Sequence, residues 1–148
     1  MQQHNFLVVE DESADALLLR RALERKADNV AVEIVDDGNK ALSHLRSAKT
    51  GHAGSVPMPS CIILDLKLRT VDGFSVLTEV KQDDQTKRIP VVVLTSSSDQ
   101  NDVRHAYDLG ANSYIVKPVE FSDLSHIAEK IVSYWGGTNF MYRSSHAN

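Results

Sequence analysis

Short apolar runs alternate with helical patterns five times along the chain. Phe6 to Val9 predicts a strand that ends in Glu10-Asp11-Glu12. Ala16, Leu19, Ala22 and Leu23 then recur at spacings of three and four, the stripe of an amphipathic helix, with Ser13 as its expected N-cap. Val30 to Val35 is β-branched and weakly alternating, so a second strand is predicted. Asp36-Asp37-Gly38 turns the chain into a helix carrying Ala41, Leu42 and Leu45. Thr50 to Pro59 holds two glycines and two prolines and is expected to be a loop. Ile62 to Leu64 predicts a third strand that delivers Asp65 at its end. Gly73 opens a helix with Phe74, Leu77 and Val80 on one face. Val91 to Leu94, followed by Thr95, is the fourth strand, and Asp99 to Leu109 the fourth helix, stopped by Gly110. Ser113 to Val116 is the fifth strand, closed by Lys117-Pro118. Phe121, Leu124, Ala128, Ile131 and Trp135 predict one face of a last helix, ended by Gly136-Gly137.

Strongly apolar strands separated by amphipathic helices imply an α/β fold, a parallel sheet covered on both faces. At 148 residues the chain fits one domain. We place it at residues 1–137, with 138–148 as a C-terminal tail that still carries Phe140, Met141 and Tyr142. Sixteen basic against 20 acidic residues leave a net charge of −4, which argues against nucleic-acid or membrane-surface partners. The longest apolar runs are four residues, far short of the roughly 20 that span a bilayer. The single cysteine, Cys61, excludes an internal disulfide, fits a reducing cytoplasm and is expected to be inert core. The six histidines show no metal-ligand spacing.

In an open α/β sheet, chemistry gathers at the carboxyl ends of the strands. Glu10 and Asp11 leave the first strand, Asp65 the third, Thr95 the fourth and Lys117 the fifth. Converging carboxylates repel unless a cation joins them, and oxygen-only ligands suit a hard ion such as Mg²⁺. A carboxylate nucleophile, a divalent ion, a lysine and a hydroxyl together can transfer a phosphoryl group to a carboxylate.

The ordered set Leu7-Val8-Val9-Glu10-Asp11-Glu12, Ile62-Ile63-Leu64-Asp65-Leu66-Lys67-Leu68, Asp72-Gly73, Val91 to Ser96, Gly110-Ala111 and Tyr114 to Pro118 resembles the receiver domain of two-component response regulators. The resemblance spans about residues 5 to 135. It implies a flavodoxin-like doubly wound sheet of five strands in the order 2-1-3-4-5, with five helices, an order for which a chemotaxis receiver is the standard example. It implies that Asp65 is the phosphoacceptor and that Glu10, Asp11, Asp65 and the Lys67 backbone carbonyl hold Mg²⁺. Thr95 and Lys117 would contact the phosphoryl group, and Tyr114 would change rotamer with Thr95. The implied partners are a sensor histidine kinase and a downstream protein target or phosphotransfer protein. The expected function is a phosphorylation-controlled binding module, not an enzyme acting on a separate substrate.

Two features depart from the family pattern. Arg69 stands where proline is usual, and Thr50 to Pro59 is longer than usual. That loop, Arg88 to Thr95 and the aromatic end of the last helix resemble stand-alone receivers paired with bacterial phytochrome kinases. No DNA-binding domain follows, so output is expected through protein contact, and Tyr134, Trp135 and the tail are expected to support a homodimer. Two competing readings are a receiver-like scaffold that is never phosphorylated and a haloacid-dehalogenase-type phosphatase. The phosphatase would need a second aspartate where Lys67 stands. A flavodoxin-like flavin carrier would need a phosphate-binding loop where Glu10-Asp11-Glu12 stands.

Overall fold

The computed structural model describes residues 3–142. Its strands are β1 (His4–Val9), β2 (Val30–Val35), β3 (Cys61–Leu64), β4 (Val91–Thr95) and β5 (Ser113–Val116). They alternate with the helices α1 (Ser13–Lys26), α2 (Gly38–Thr50), α3 (Gly73–Gln82), α4 (Gln100–Asp108) and α5 (Phe121–Ser133). The strands form one parallel sheet in the order β2-β1-β3-β4-β5, as the resemblance to receiver domains implies.

Alternation along the central strands divides the core into two layers. Leu7, Val9, Ile62, Leu64, Val91 and Val93 face Ala41 and Leu45 of α2, Val76, Leu77 and Val80 of α3, and Ala106 of α4. Phe6, Val8, Cys61, Ile63, Val92 and Leu94 face Leu19, Ala22 and Leu23 of α1 and Leu124, Ala128 and Ile131 of α5. Every residue of β3 and β4 is buried, whereas the edge strands β2 and β5 are only partly so. Each such side chain contributes roughly 1.5–3 kcal/mol relative to exposure. Cys61 is fully buried, and desolvation holds its thiol far above the ordinary range, so it is core as expected.

Three local expectations need correction. Glu12, not Ser13, is the N-cap of α1, and no side chain caps that end. Phe121 is 58% exposed and leaves the buried stripe of α5, which runs through Leu124, Ala128, Ile131 and Val132. Gly136 and Gly137 do not simply stop the helix. The α-helix ends at Ser133 and continues as a π-helical turn, Tyr134–Thr138. Gly136 is buried in this turn beside Phe6, Val30 and Val132, so the two glycines continue the helical path instead of ending it.

Two glycines let loops approach the carboxyl edge of the sheet. Asp72 caps α3 by accepting from the Ser75 N–H at 2.9 Å, and Gly73 N–H donates to the Leu66 carbonyl at 2.9 Å. A methyl at Gly73 would collide with the Asp65 carbonyl oxygen and Leu66 Cα, and one at Gly38 with the Val71 backbone. Gly73→Ala should therefore lower stability by about 1–3 kcal/mol, read from the urea midpoint. Gly137→Ala, with nothing within 4 Å of the added carbon, is the neutral control. Equal midpoints for the two variants would contradict the close-approach argument.

Candidate functional site

The sheet ladder continues one residue past β1, β3 and β5 and fixes the residues that follow. Glu10 N–H donates to the Val35 carbonyl at 3.0 Å, Asp65 N–H to Val9 at 3.0 Å and Lys117 N–H to Thr95 at 2.7 Å. Glu10, Asp11 and Asp65 thereby meet, each offering a carboxylate oxygen within 4.8 Å of the others. Glu10 and Asp65 are buried, and Asp11 is partly so.

Lys117 crosses into this cluster from the end of β5. Its Nζ lies 2.7 Å from Glu10 Oε1 and 3.1 Å from Asp65 Oδ2. It also lies 3.1 Å from Asp15 Oδ2, a residue that the sequence pattern did not single out. Burial pushes the Glu10 carboxyl up to about 7, with Asp65 adding to the rise, although the Lys117 hydrogen bond pulls it down. Desolvation acts downward on Lys117, but the hydrogen bond and charge of Glu10 and the charge of Asp65 outweigh it and hold the ammonium above its ordinary range. The outer rim carries a second cation: Arg69 Nε stands 3.8 Å from Asp11 Oδ2 and is largely exposed, near the site as the sequence implied.

Thr95 is fully buried, and its hydroxyl has no hydrogen-bond partner. A buried unsatisfied hydroxyl costs about 1–3 kcal/mol, so an oxygen-rich ligand at this edge would supply what the fold leaves unmet. Tyr114 is half-buried, and its hydroxyl donates at 2.9 Å to the Ser97 carbonyl, in the loop that begins after Thr95. Lys67 N–H donates to Asp65 Oδ1 at 3.1 Å, which holds the loop after β3 against the carboxylate. In the same loop Thr70 has a φ of 63°, an unusual conformation for a β-branched residue. The fold thus brings Glu10, Asp11, Asp65, Thr95 and Lys117 to one edge and joins Tyr114 to it through a loop.

The donor set is all oxygen, from three carboxylates, without histidine or sulfur. It fits a hard divalent cation. Neutralising clustered carboxylates is what such an ion supplies, and Glu10, Asp11 and Asp65 are the side chains that would hold it.

An acidic edge of this kind on a 2-1-3-4-5 parallel sheet defines the receivers of two-component signalling. A sequence profile of the response regulator receiver domain matches residues 6–129, and the chain belongs to that family of phosphoacceptor signalling domains. The probable methanogenesis regulatory protein FilR2 of Methanothrix harundinacea is 42% identical over 133 residues, 90% of this chain and 84% of that protein. Response regulator Rcp1 of Synechocystis is 39% identical over 129 residues, 87% of this chain and 86% of Rcp1. Its Mn²⁺-bound crystal structure superposes with a TM-score of 0.86 at 35% identity, covering 95% of this chain and 99% of that one. The phosphorylated cyanobacterial phytochrome response regulator RcpA superposes with a TM-score of 0.88 at 38% identity, with the same coverage. The chain is thus a receiver-domain response regulator with phytochrome-associated homologues. Among the described residues no helix is long and apolar enough to cross a membrane.

Glu10→Gln separates repulsion from ligation. The amide still accepts from Lys117 but cannot ionise. A folded-state value of about 7 against 4.5 means that ionising Glu10 costs stability, progressively, as pH rises between those values. The metal-free variant should gain on the order of 1–3 kcal/mol at pH 8, and much less at pH 5, by urea unfolding in chelator. A loss at pH 8, or equal gains at both pH values, would contradict the electrostatic account.

Proposed function

We propose that this protein accepts a phosphoryl group on Asp65 from a histidine kinase, with Mg²⁺ held by Glu10, Asp11, Asp65 and the Lys67 carbonyl, and signals by contact with another protein. The observation that carries this reading is the Lys117 ammonium, 3.1 Å from Asp65, at an edge that also holds the unpartnered Thr95 hydroxyl. One Asp65 oxygen forms the bond to phosphorus while the bond to the donor imidazole nitrogen breaks and its electron pair leaves with the imidazole. Held by these groups, Mg²⁺ would supply charge neutralisation for the phosphoryl oxygens. Lys117 exchanges its Asp65 contact for a phosphoryl oxygen, and Thr95 donates its free hydroxyl to another. The response returns along the Thr95 loop, whose Ser97 carbonyl is the acceptor for Tyr114. The same site hydrolyses the acyl phosphate later.

Tyr107, Val116, Val119 and Phe121 are exposed on α4, β5, the β5–α5 loop and the start of α5, and this apolar group supports output by protein contact. The likeness to RcpA and Rcp1 supports a bacterial phytochrome as the kinase and a cytoplasmic setting. Tyr134 is 49% exposed, Phe140 is 99% exposed, and Tyr142 lies 5.2 Å below the Arg88 guanidinium. These aromatics support a homodimer built on the end of α5 and the tail. The remainder of the tail, residues 143–148, lies outside the described residues.

Acid-labile phosphate after treatment with acetyl phosphate tests the acceptor. Wild type should incorporate it in Mg²⁺ and not in chelator, and Asp65→Asn should incorporate none. Lys117→Ala should still accept phosphate, more slowly. Undiminished labelling of Asp65→Asn would remove Asp65 as the acceptor, and a wild type that takes up no phosphate would leave the never-phosphorylated scaffold as the better reading of this edge.

Light scattering tests assembly. The full chain should be a dimer at tens of micromolar, and a chain ending at Asn139, which keeps the π-helical turn but loses Phe140, Met141 and Tyr142, should dissociate more readily. A monomeric full chain rejects the dimer.

A further inference from the structure

Lys117 is held by a carboxylate that lies outside the acidic triad. An ammonium has three donors, and here three carboxylates accept from it: Glu10, Asp65 and Asp15. Asp15 is the third residue of α1, where an acid commonly folds back on the N-cap N–H. In this chain the Glu12 N–H donates to Glu10 Oε2 at 3.1 Å instead. Asp15 therefore has a different partner, Lys117, 102 residues along the chain. Both side chains are shielded, at 10% exposure for Lys117 and 21% for Asp15.

The two kinds of carboxylate have different fates during transfer. A divalent cation would draw on Glu10 and Asp65, and the phosphoryl group would occupy Asp65. Asp15 is not part of the metal-ligating group, so neither event draws on its carboxylate. We propose that Asp15 is a positioning residue for phosphoryl transfer, tethering the Lys117 ammonium at the site while Glu10 and Asp65 are engaged. The inference rests on Asp65 being the phosphoacceptor. As the Asp65 oxygen bonds to phosphorus and the donor's leaving group departs with its electron pair, Lys117 stays protonated and moves only from one oxygen to another. An untethered lysine would reach the same oxygen from many rotamers and lose the benefit of orientation.

The test is a double-mutant cycle on the full chain, reading the rate of acid-labile phosphate formation from acetyl phosphate in saturating Mg²⁺. Asp15→Ala should slow transfer by about tenfold, the worth of one charge-assisted hydrogen bond. Asp15→Asn keeps an acceptor and should recover most of that loss. In a Lys117→Ala background, Asp15→Ala should change the rate by less than about twofold, since its route of action is gone. Circular dichroism establishes that each variant is folded, and Asp15→Ser, whose shorter side chain loses the carboxylate, replaces Asp15→Ala in the cycle if the alanine variant is not. A wild-type rate for both Asp15 variants overturns the tether. So does equal slowing with and without Lys117, which would mean that Asp15 acts on α1 or on net charge. Labelling of Asp65→Asn at the wild-type rate would instead overturn the acceptor assignment, whatever the Asp15 variants do.

Discussion

The Lys117 ammonium is the charge around which this fold gathers carboxylates at a buried edge. Glu10 and Asp65 are nearly excluded from water, and two ionised carboxylates at such spacing repel strongly. Lys117 bridges them at 2.7 and 3.1 Å, and they in turn keep it protonated despite its own burial. Removing the lysine would leave uncompensated buried charge, which is far more costly than losing an exposed ion pair. The sheet exists in a form that tolerates this cluster because its central strands are buried on both faces and stop together at one edge.

That arrangement also explains how a small chemical event can reach a distant surface. The acidic cluster, Thr95 and Lys117 stand at the ends of four strands, β1, β3, β4 and β5, and the loops after those strands lead to α1, α3, α4 and α5. Tyr114 already ties the loop after Thr95 to β5 through its hydroxyl. A group that satisfied the Thr95 hydroxyl would bear directly on that loop. The apolar side chains Tyr107, Val116 and Phe121 lie on the elements that the loop and β5 join. Chemistry and contact surface are thus separated by one short segment, the kind of element whose position a new charge can bias.

The Arg69 departure has a defined place in this scheme. Proline would have stiffened the loop after Asp65, whereas arginine adds an exposed cation 3.8 Å from Asp11. Solvent screens that pair, so it adds little to stability. The loop instead takes its shape from Gly73 lying against the Asp65 and Leu66 backbone, and from Asp72 capping α3.

Much of the fold was legible because the signals were local. Ile62-Ile63-Leu64 before Asp65, and Val91 to Leu94 before Thr95, mark fully buried strands, and the structure places both strands as expected. The α1 stripe of Ala16, Leu19, Ala22 and Leu23 was equally readable from its period. Other features were decided by contacts that no local pattern encodes. Gly136 and Gly137 look like a helix stop, but the backbone runs on through a π-helical turn in which Gly136 is buried beside Phe6 and Val30. Phe121 shares the helical period of the α5 stripe, yet it precedes the part of the helix that meets the sheet and stays exposed. Asp15 looks like an ordinary first-turn acid. Its partner lies 102 residues away, and only the closing of the parallel sheet brings the two side chains to 3.1 Å. Periodicity and strand-end chemistry are properties of neighbouring residues and survive in the sequence alone, whereas a contact between distant segments exists only once the chain has folded.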